Sequence, residues 1–423
     1  MITTPTNVLL DINGEYPLNS RWFDLTLKYL SRVMSRQSHP LNLTISEFLT
    51  RPENERENVC NLVDVYLAHT NLFEQIMHFR LPGYLEFPYE YRHLDPIINT
   101  DLGFQIGGTD TTDVNDIFNR LSAPFDFDVT YYTDGSREES GNATGYAVFS
   151  PELGYEYKER INNYNTIFEA EALAIQHAID SILNNKIKKS AIFSDSLSVL
   201  SGLANPATTN KSHQRVFQIR GSLFECTKQS LEIHIIWIPS HRGIYGNERA
   251  DTLAKESLHL PDPLLLSKCH YTNLYSRFKS LSKDRAIRVI QAESFIKGTK
   301  YFAHKPDILS PPWYTNRKIK EILPRSVITL VSRLRSNHTA TMGHLWRKNI
   351  TDSSECQCGH SFQDLNHTFF GCRDTSDSSN LLISGLKKID PNITLDVQTL
   401  AFTSDTRVHH LLHNFVRRNN ISI

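Results

Sequence analysis

The sequence predicts a mixed α/β domain: a five-stranded sheet of three antiparallel and then two parallel strands with flanking helices, set between helical N- and C-terminal regions. Three observations predict it. From Phe125 to about Leu260, three strand-like runs joined by short turns are followed by two strand–helix units. The strand-like runs are rich in β-branched and aromatic residues, whereas the intervening segments repeat apolar residues at helical spacing. The 423-residue chain is 39% hydrophobic and 22% charged, which is enough for two or three cored domains.

Taken in order, residues 1–80 read as helical. FDLTLKYLSRVM (23–34) and VCNLVDVYLAHTNLFEQIMHF (59–79) both repeat apolar residues at helical spacing. Residues 81–124 include PGYLEFPYEYRHLDP and DLGFQIGGTDTTD, whose Pro, Gly and Asp content is that of a linker. The α/β domain occupies 125–260. DFDVTYYT (126–133), TGYAVFS (144–150) and YEYKERI (155–161) form an antiparallel meander. A helix follows over about 166–183, then strand AIFS (191–194), helix SLSVLSGL (196–203) and a helix around 213–228. Strand LEIHIIWI (231–238) leads through PSHRGIYG into a last helix, NERADTLAKESL (247–258). TDGS at 133–136 reads as a tight turn that closes the first strand and leaves Asp134 facing outward. Residues 261–350 are helical and basic, through LYSRFKSLSKDRAIRVIQAESF (274–295) and SVITLVSRLRSNHTATMGHLWRKN (326–349). A cysteine-rich loop fills 351–375, and a tail with weaker periodicity fills 376–423.

The formal net charge of −1 conceals an asymmetry. Residues 1–262 carry 22 Lys+Arg against 34 Asp+Glu, whereas residues 263–423 carry 23 against 12. Within 263–350 the balance is 17 against 4, which predicts a nucleic-acid partner gripped mainly by the C-terminal half. The apolar runs fall short of the ~18 residues a membrane span needs. MITTPTNVLLDINGEYPL lacks the basic start and sustained apolar core of a signal peptide. Six cysteines in a chain this long are too few for a disulfide scaffold. An intracellular protein, nuclear or cytoplasmic, is expected.

Four acids carry the chemistry. Thr166 and Glu169 form a capping-box pattern, which gives Glu169 a structural role. Glu171 has none: Ile175, Ala178 and Ile182 share its helix face, and a carboxylate on an apolar stripe is costly unless neutralised. Asp195 could cap the helix after AIFS, but Ser196 could do so equally well. Asp251 falls in the first turn of the last helix, where the helix dipole favours an acid. With the first strand central and the fourth beside it, Asp134 and Asp195 lie at adjacent strand ends, and the helices bring Glu171 and Asp251 near. Four converging carboxylates require cations, and hard oxygen ligands favour Mg²⁺ or Mn²⁺. Two such ions ~3.5–4 Å apart make a site for phosphodiester cleavage.

TDGS on the first strand, AEALAI on the first helix, SDS after the fourth strand and HRGIYGNERADTLA at the end resemble the blocks of the type 1 ribonuclease H domain, over roughly 125–260. The resemblance implies the ribonuclease H fold and a two-metal endonuclease that hydrolyses the RNA strand of RNA–DNA hybrids, leaving 5′-phosphate and 3′-hydroxyl ends. It implies Asp134, Glu171, Asp195 and Asp251 as metal ligands. It implies His241, in a Ser/Gly loop of mobile composition, as the residue that assists proton transfer or product release. Asn247 could cap the last helix and is assigned no chemistry. Two departures stand out: Ile167 and Phe168 replace the Asn or Gln with which relatives often read the minor groove, and ANPATTNKSH (204–213) is no large basic protrusion. Both imply a weaker autonomous grip, with binding left to neighbouring domains.

SECQCGHSFQDLNHTFFGC arranges Cys356, Cys358, His367 and Cys372 as C-x-C-x8-H-x4-C. Four such ligands within seventeen residues suit tetrahedral Zn²⁺. His360 is a competing ligand, and a surface loop with reduced thiols is the alternative. A ribonuclease H domain followed by RLRSNHT (333–339), a short helix and this cluster resembles the C-terminal part of Jockey/R1-type non-LTR retrotransposon polyproteins. Residues 20–80 then resemble the end of the reverse transcriptase region. No Tyr-x-Asp-Asp motif is present, so the chain resembles a fragment without polymerase activity. The implied partners are the hybrid and other retrotransposon-encoded proteins, with no membrane. The competing reading is a catalytically idle nucleic-acid-binding fragment acting through the basic segment and the zinc loop. A transposase- or integrase-like enzyme is disfavoured by the NERAD block and the order of the acids.

Overall fold

The computed structural model of the chain describes residues 4–51, 61–78, 94–108, 114–141, 143–205, 213–261 and 268–423. The backbone divides into two compact units, residues 26–278 and residues 1–25 with 279–423. Among the described residues no helix is long and apolar enough to cross a membrane.

The 26–278 unit is a mixed α/β fold around a six-stranded sheet. Its strands are β1 (Ile97–Asn99), β2 (Val129–Arg137), β3 (Thr144–Ser150), β4 (Tyr155–Ile161), β5 (Lys189–Ser194) and β6 (Glu232–Trp237), in the order β1-β6-β5-β2-β3-β4. β2, β3 and β4 are antiparallel, and β5, β6 and β1 continue from β2 in parallel. All five expected strands are present, with the first one central and the fourth beside it. The sheet is one strand wider than expected because Ile97–Asn99, within the segment of linker composition, pairs in register with His234, Ile235 and Ile236. That pairing satisfies backbone groups that β6 would otherwise expose as an edge.

Each face of the sheet has its own core. On one, helices Ile167–Asn185, Leu197–Ala204 and Gln214–Lys228 bury Ile175, Ile179, Ile182, Leu200 and Ile219 against Tyr131, Val148 and Ile192. On the other, helix Tyr245–Ser257 lies with Asp101–Gly107 and Val114–Ser122, packing Leu253, Ile106 and Phe118 on Tyr132, Phe193 and Ile236. Each fully buried Ile or Leu is worth ~1.5–3 kcal/mol, so the 94–122 segment is an integral layer of the domain. The rest of the expected linker, 81–93 and 109–113, lies outside the described residues. The expected helix at 59–79 is Asn61–Ala68 and Thr70–Phe73, with 59–60 and 79 also outside. Downstream, Cys269 forms a parallel bridge with Ile76, so residues from beyond the expected end at 260 also belong to this unit.

In the other unit, the first helix, Thr6–Asn13, is tied down by Asp11. This fully buried carboxylate accepts from the Tyr301 hydroxyl (2.6 Å), the Leu309 N–H (2.6 Å) and Lys305 Nζ (2.7 Å), which pairs the charge its burial requires. The continuous helix expected over 326–349 breaks at Asn337 (φ 53°) into Arg325–Ser336 and Met342–Arg347. Asn tolerates this left-handed conformation better than most residues. The tail forms helices Ser376–Ile389, Val397–Phe402 and Thr406–Arg418, which bury Leu386, Leu400 and Leu412 with Leu334 and Phe369.

Candidate active site and metal centre

Asp134 lies inside β2 and not at its end. The strand continues through Arg137, with Asp134 opposite Ala147 and Gly135 opposite Tyr146. The parallel ladder with β5 stops at Thr133–Ser194, so Asp195 follows directly where that pairing ends. Gly135 therefore does not turn the chain away, as TDGS suggests; it lets a helix in. A Cβ on Gly135 would lie 2.8 Å from the Glu171 nitrogen and 2.9 Å from the Ala170 Cβ. Without a side chain there, the start of the 167–185 helix approaches β2 closely enough to set Glu171 beside Asp134.

The helix start is built as the sequence predicts. Thr166 and Glu169 form a reciprocal capping box. Glu169 is fully buried and also accepts from Asn273 Nδ2, beyond the expected domain end. Asp195 does not cap the next helix; Ser196 is the N-cap residue, and its side chain makes no cap bond. The Asp195 carboxylate instead accepts from Asn247, and its backbone carbonyl accepts from Trp237 Nε1 at 3.0 Å. Asn247 is buried and does not cap the last helix, which begins at Tyr245 after Ile244; its side chain serves the acid site instead. Asp251 falls in the second turn of its helix and not the first, because the helix begins at Tyr245. That helix can reach the sheet because Gly246 has no Cβ, which would stand 2.4 Å from the Tyr132 ring.

Carboxylate oxygens of Asp134, Glu171 and Asp195 lie within 4.8 Å of one another. His241, Glu248 and Asp251 form a second group of the same size. The two groups adjoin: Asp251 acts electrostatically on Asp134 and Asp195, and His241 on Asp195. Burial, then the charges of Asp195 and Asp251, push the Asp134 carboxyl up to about 8. Burial, then Asp134 and Asp195, hold Glu171 well above the usual carboxylate range. Asp195 is raised chiefly by burial, against the hydrogen bond from Asn247. Asp251 is paired with Lys255 at 2.6 Å. One Glu171 oxygen, Oε2, is buried and accepts no hydrogen bond. Crowded carboxyl groups with an orphaned buried oxygen are a ligand set that fits hard divalent cations.

His241 adopts φ 53°, a conformation that costs a non-glycine residue energy unless its surroundings impose it. The 94–122 segment supplies that constraint. Asn115 Nδ2 donates to the Gly243 carbonyl (2.6 Å), Asn115 Oδ1 accepts the Tyr245 N–H (2.9 Å), and Arg242 donates to the Gly107 carbonyl (3.0 Å). Glu248 accepts the Gly243 N–H (3.0 Å) from the first turn of the helix that follows. The loop read as mobile is strapped from a segment more than a hundred residues upstream.

In the other unit, Cys356, Cys358, His367 and Cys372 bring their ligand atoms within 4.8 Å of one another. Cys356 and Cys372 sulfurs are 3.8 Å apart, and Cys358 Sγ is 3.4 Å from His367 Nε2. Tetrahedral Zn²⁺ with Zn–S bonds of ~2.3 Å requires S···S edges of about 3.8 Å, so the four residues fit that ion. His360 stacks on His367 but turns Nδ1 to the Phe362 carbonyl at 3.0 Å, outside the group. Burial raises the Cys372 thiol to about 11.

The central sheet, its order and the carboxylates across it define a ribonuclease H-like domain. Residues 126–259 match the family model described as RNase H. The chain is also similar to the Pol polyprotein of equine infectious anemia virus (strain Wyoming), at 28% identity over 131 residues. That match covers 30% of this chain and 10% of the viral polyprotein. The chain thus carries an RNase H domain and spans a small part of this relative's length.

Proposed function

We propose that this chain hydrolyses the RNA strand of RNA–DNA hybrids at the Asp134, Glu171, Asp195 and Asp251 cluster. The observation that carries the reading is the convergence of two buried carboxylates, Asp134 on a strand and Glu171 on a helix, with the half-buried Asp195 at a strand end, one of them with an orphaned oxygen, inside the segment that matches RNase H. The four acids would hold Mg²⁺ or Mn²⁺. Bound there, two such ions would activate water and neutralise the scissile phosphate and the leaving 3′ oxygen. The chain's own groups do the rest. The β2–β5 pairing fixes the separation of Asp134 and Asp195, and Asn247 and Trp237 orient Asp195. His241, beside Glu248 and Asp251, would pass a proton to the departing oxygen.

The test is cleavage of a 5′-labelled RNA–DNA hybrid in Mg²⁺ by the purified chain and its Asp134→Asn variant, with single-stranded and duplex RNA as controls. RNA cut only in the hybrid, with 3′-hydroxyl ends and only by the parent protein, supports the reading. Equal activity in both proteins, or none in either, rejects it.

We further propose that the Cys356, Cys358, His367 and Cys372 cluster holds a structural Zn²⁺, and that the chain is part of a retrotransposon-encoded polyprotein. The RLRSNHT–helix–cysteine order supports the latter, as does the similarity to a viral Pol polyprotein.

A further inference from the structure

The 1–25/279–423 unit carries a groove that the cleavage reading leaves unused. Three cavities of about 650, 230 and 340 Å³ adjoin one another. The first two share Gly298, His338 and Lys348, and the last two share Lys300, Asn337, His344 and Arg347. RLRSNHT thus contributes Asn337 and His338 to the middle of the groove. The middle cavity is lined by Lys300, Arg347 and Lys348 and by no carboxylate. Lys300 and Lys348 are exposed and enter no ion pair among the described residues. Burial keeps His338 neutral at physiological pH, with a pKa of about 4, so the positive charge is that of Lys and Arg alone.

Apolar surface flanks this charge. Ile296, 81% exposed, lines the largest cavity beside Phe295, which is 78% exposed. Phe362 lines the third, with the Arg347 guanidinium 5.9 Å from its ring. Of the acids of the third cavity, Asp364 accepts the His367 N–H and Asp396 accepts from Thr399 and Asn366, so both are engaged as caps; Glu293 lies at the first cavity, away from Lys300 and Arg347. A concave track of fixed cations with apolar and aromatic walls suits a strand whose bases are unstacked. A duplex, which turns its bases inward, gains little from such pockets.

We propose that this groove binds single-stranded nucleic acid, with phosphates on Lys300, Arg347 and Lys348 and a base against Phe362. The reading goes beyond hybrid cleavage and does not depend on it. The groove holds a strand, whereas the acid site acts on a hybrid.

The experiment uses the full chain carrying Asp134→Asn, so that nothing is cut, and measures fluorescence anisotropy of labelled single-stranded RNA from 50 to 200 mM salt. Adding Lys300→Gln and Lys348→Gln should weaken binding and flatten the log–log salt slope by about 1.4, the loss of two single-strand phosphate contacts. Phe362→Leu, which retains apolar bulk, should weaken single-strand binding on the order of tenfold with the salt slope unchanged. Variants with unchanged melting temperature and unchanged single-strand affinity and slope overturn the proposal. Equal weakening for single strand and RNA–DNA hybrid also overturns it, because the surface would then be a general phosphate contact.

Discussion

The acid cluster and the Cys/His cluster are assembled in opposite ways. Asp134 and Asp251 are 117 positions apart, and the acids meet because strand order, the Gly135 contact and two helices bring them together. The Cys/His ligands lie within seventeen residues, on a loop held by a few local bonds such as Cys356 N–H to the His360 carbonyl and Gln363 N–H to the Ser354 carbonyl. The first scaffold is complete without an ion and is strained electrostatically by its own charges. The second is held by those bonds at 354–363, while Leu365 and Phe369 anchor its His367 side in the apolar core of the unit. By this contrast, a metal at the acids would serve chemistry, whereas a metal at the thiolates would serve structure.

The largest expected effect breaks the chemical side. Asp134→Asn should lower hybrid cleavage on the order of 10³-fold while circular dichroism stays unchanged. Loss of the folded signal would instead make Asp134 a structural residue.

Next is the structural side. Cys358→Ser should reduce bound zinc from one per chain to none. It should also abolish amide protection over 355–363 in hydrogen exchange, leaving the sheet of the other unit protected. Full protection without zinc would make the cluster an ordinary thiol loop.

A smaller effect concerns the acid site without metal. A carboxyl whose folded pKa is about 8 against an ordinary 3.8 binds its proton more tightly in the folded state. Between those values, stability of the metal-free protein therefore falls as pH rises. In chelator at pH 7.5, Asp134→Asn should melt higher than the parent by roughly 3–10 °C, and the gap should narrow by pH 5. A lower melting temperature at both pH values would contradict the repulsion.

The smallest effect is at the strap. Asn115→Ala removes two hydrogen bonds to the His241 loop, each worth ~0.5–1.5 kcal/mol. It should lower kcat by roughly two- to tenfold with little change in KM, and speed amide exchange at Tyr245. Unchanged exchange there would show that the loop does not need the strap.

Much of the domain was legible in the sequence because period-2 and period-3.6 patterns alternate cleanly from 126 to 258. Glu171 could be singled out because an acid on an apolar stripe conflicts with local logic, and the structure places it among the other acids. What stayed hidden was non-local. Ile97–Asn99 is too short to show alternation, and its partner β6 lies more than 130 residues downstream. Asp-Gly-Ser has strong turn chemistry, but pairing with β3 and the approaching helix override it. Asn247 looked like a cap; its i,i+4 relation to Asp251, which puts both on one helix face, was the usable clue. Nothing local in Asn115 announces a role at a loop 128 residues away.

The most direct test of the central claim, that crowded acids form a cation site, is calorimetric titration of Mg²⁺ into the chain at pH 7 in two buffers of different ionisation enthalpy. Because burial and like charge raise Asp134 to about 8 and hold Glu171 well above the usual carboxylate range, the account predicts saturable binding with release of protons, and a smaller release in Asp134→Asn. Binding without proton release, or the same release from both proteins, would contradict it.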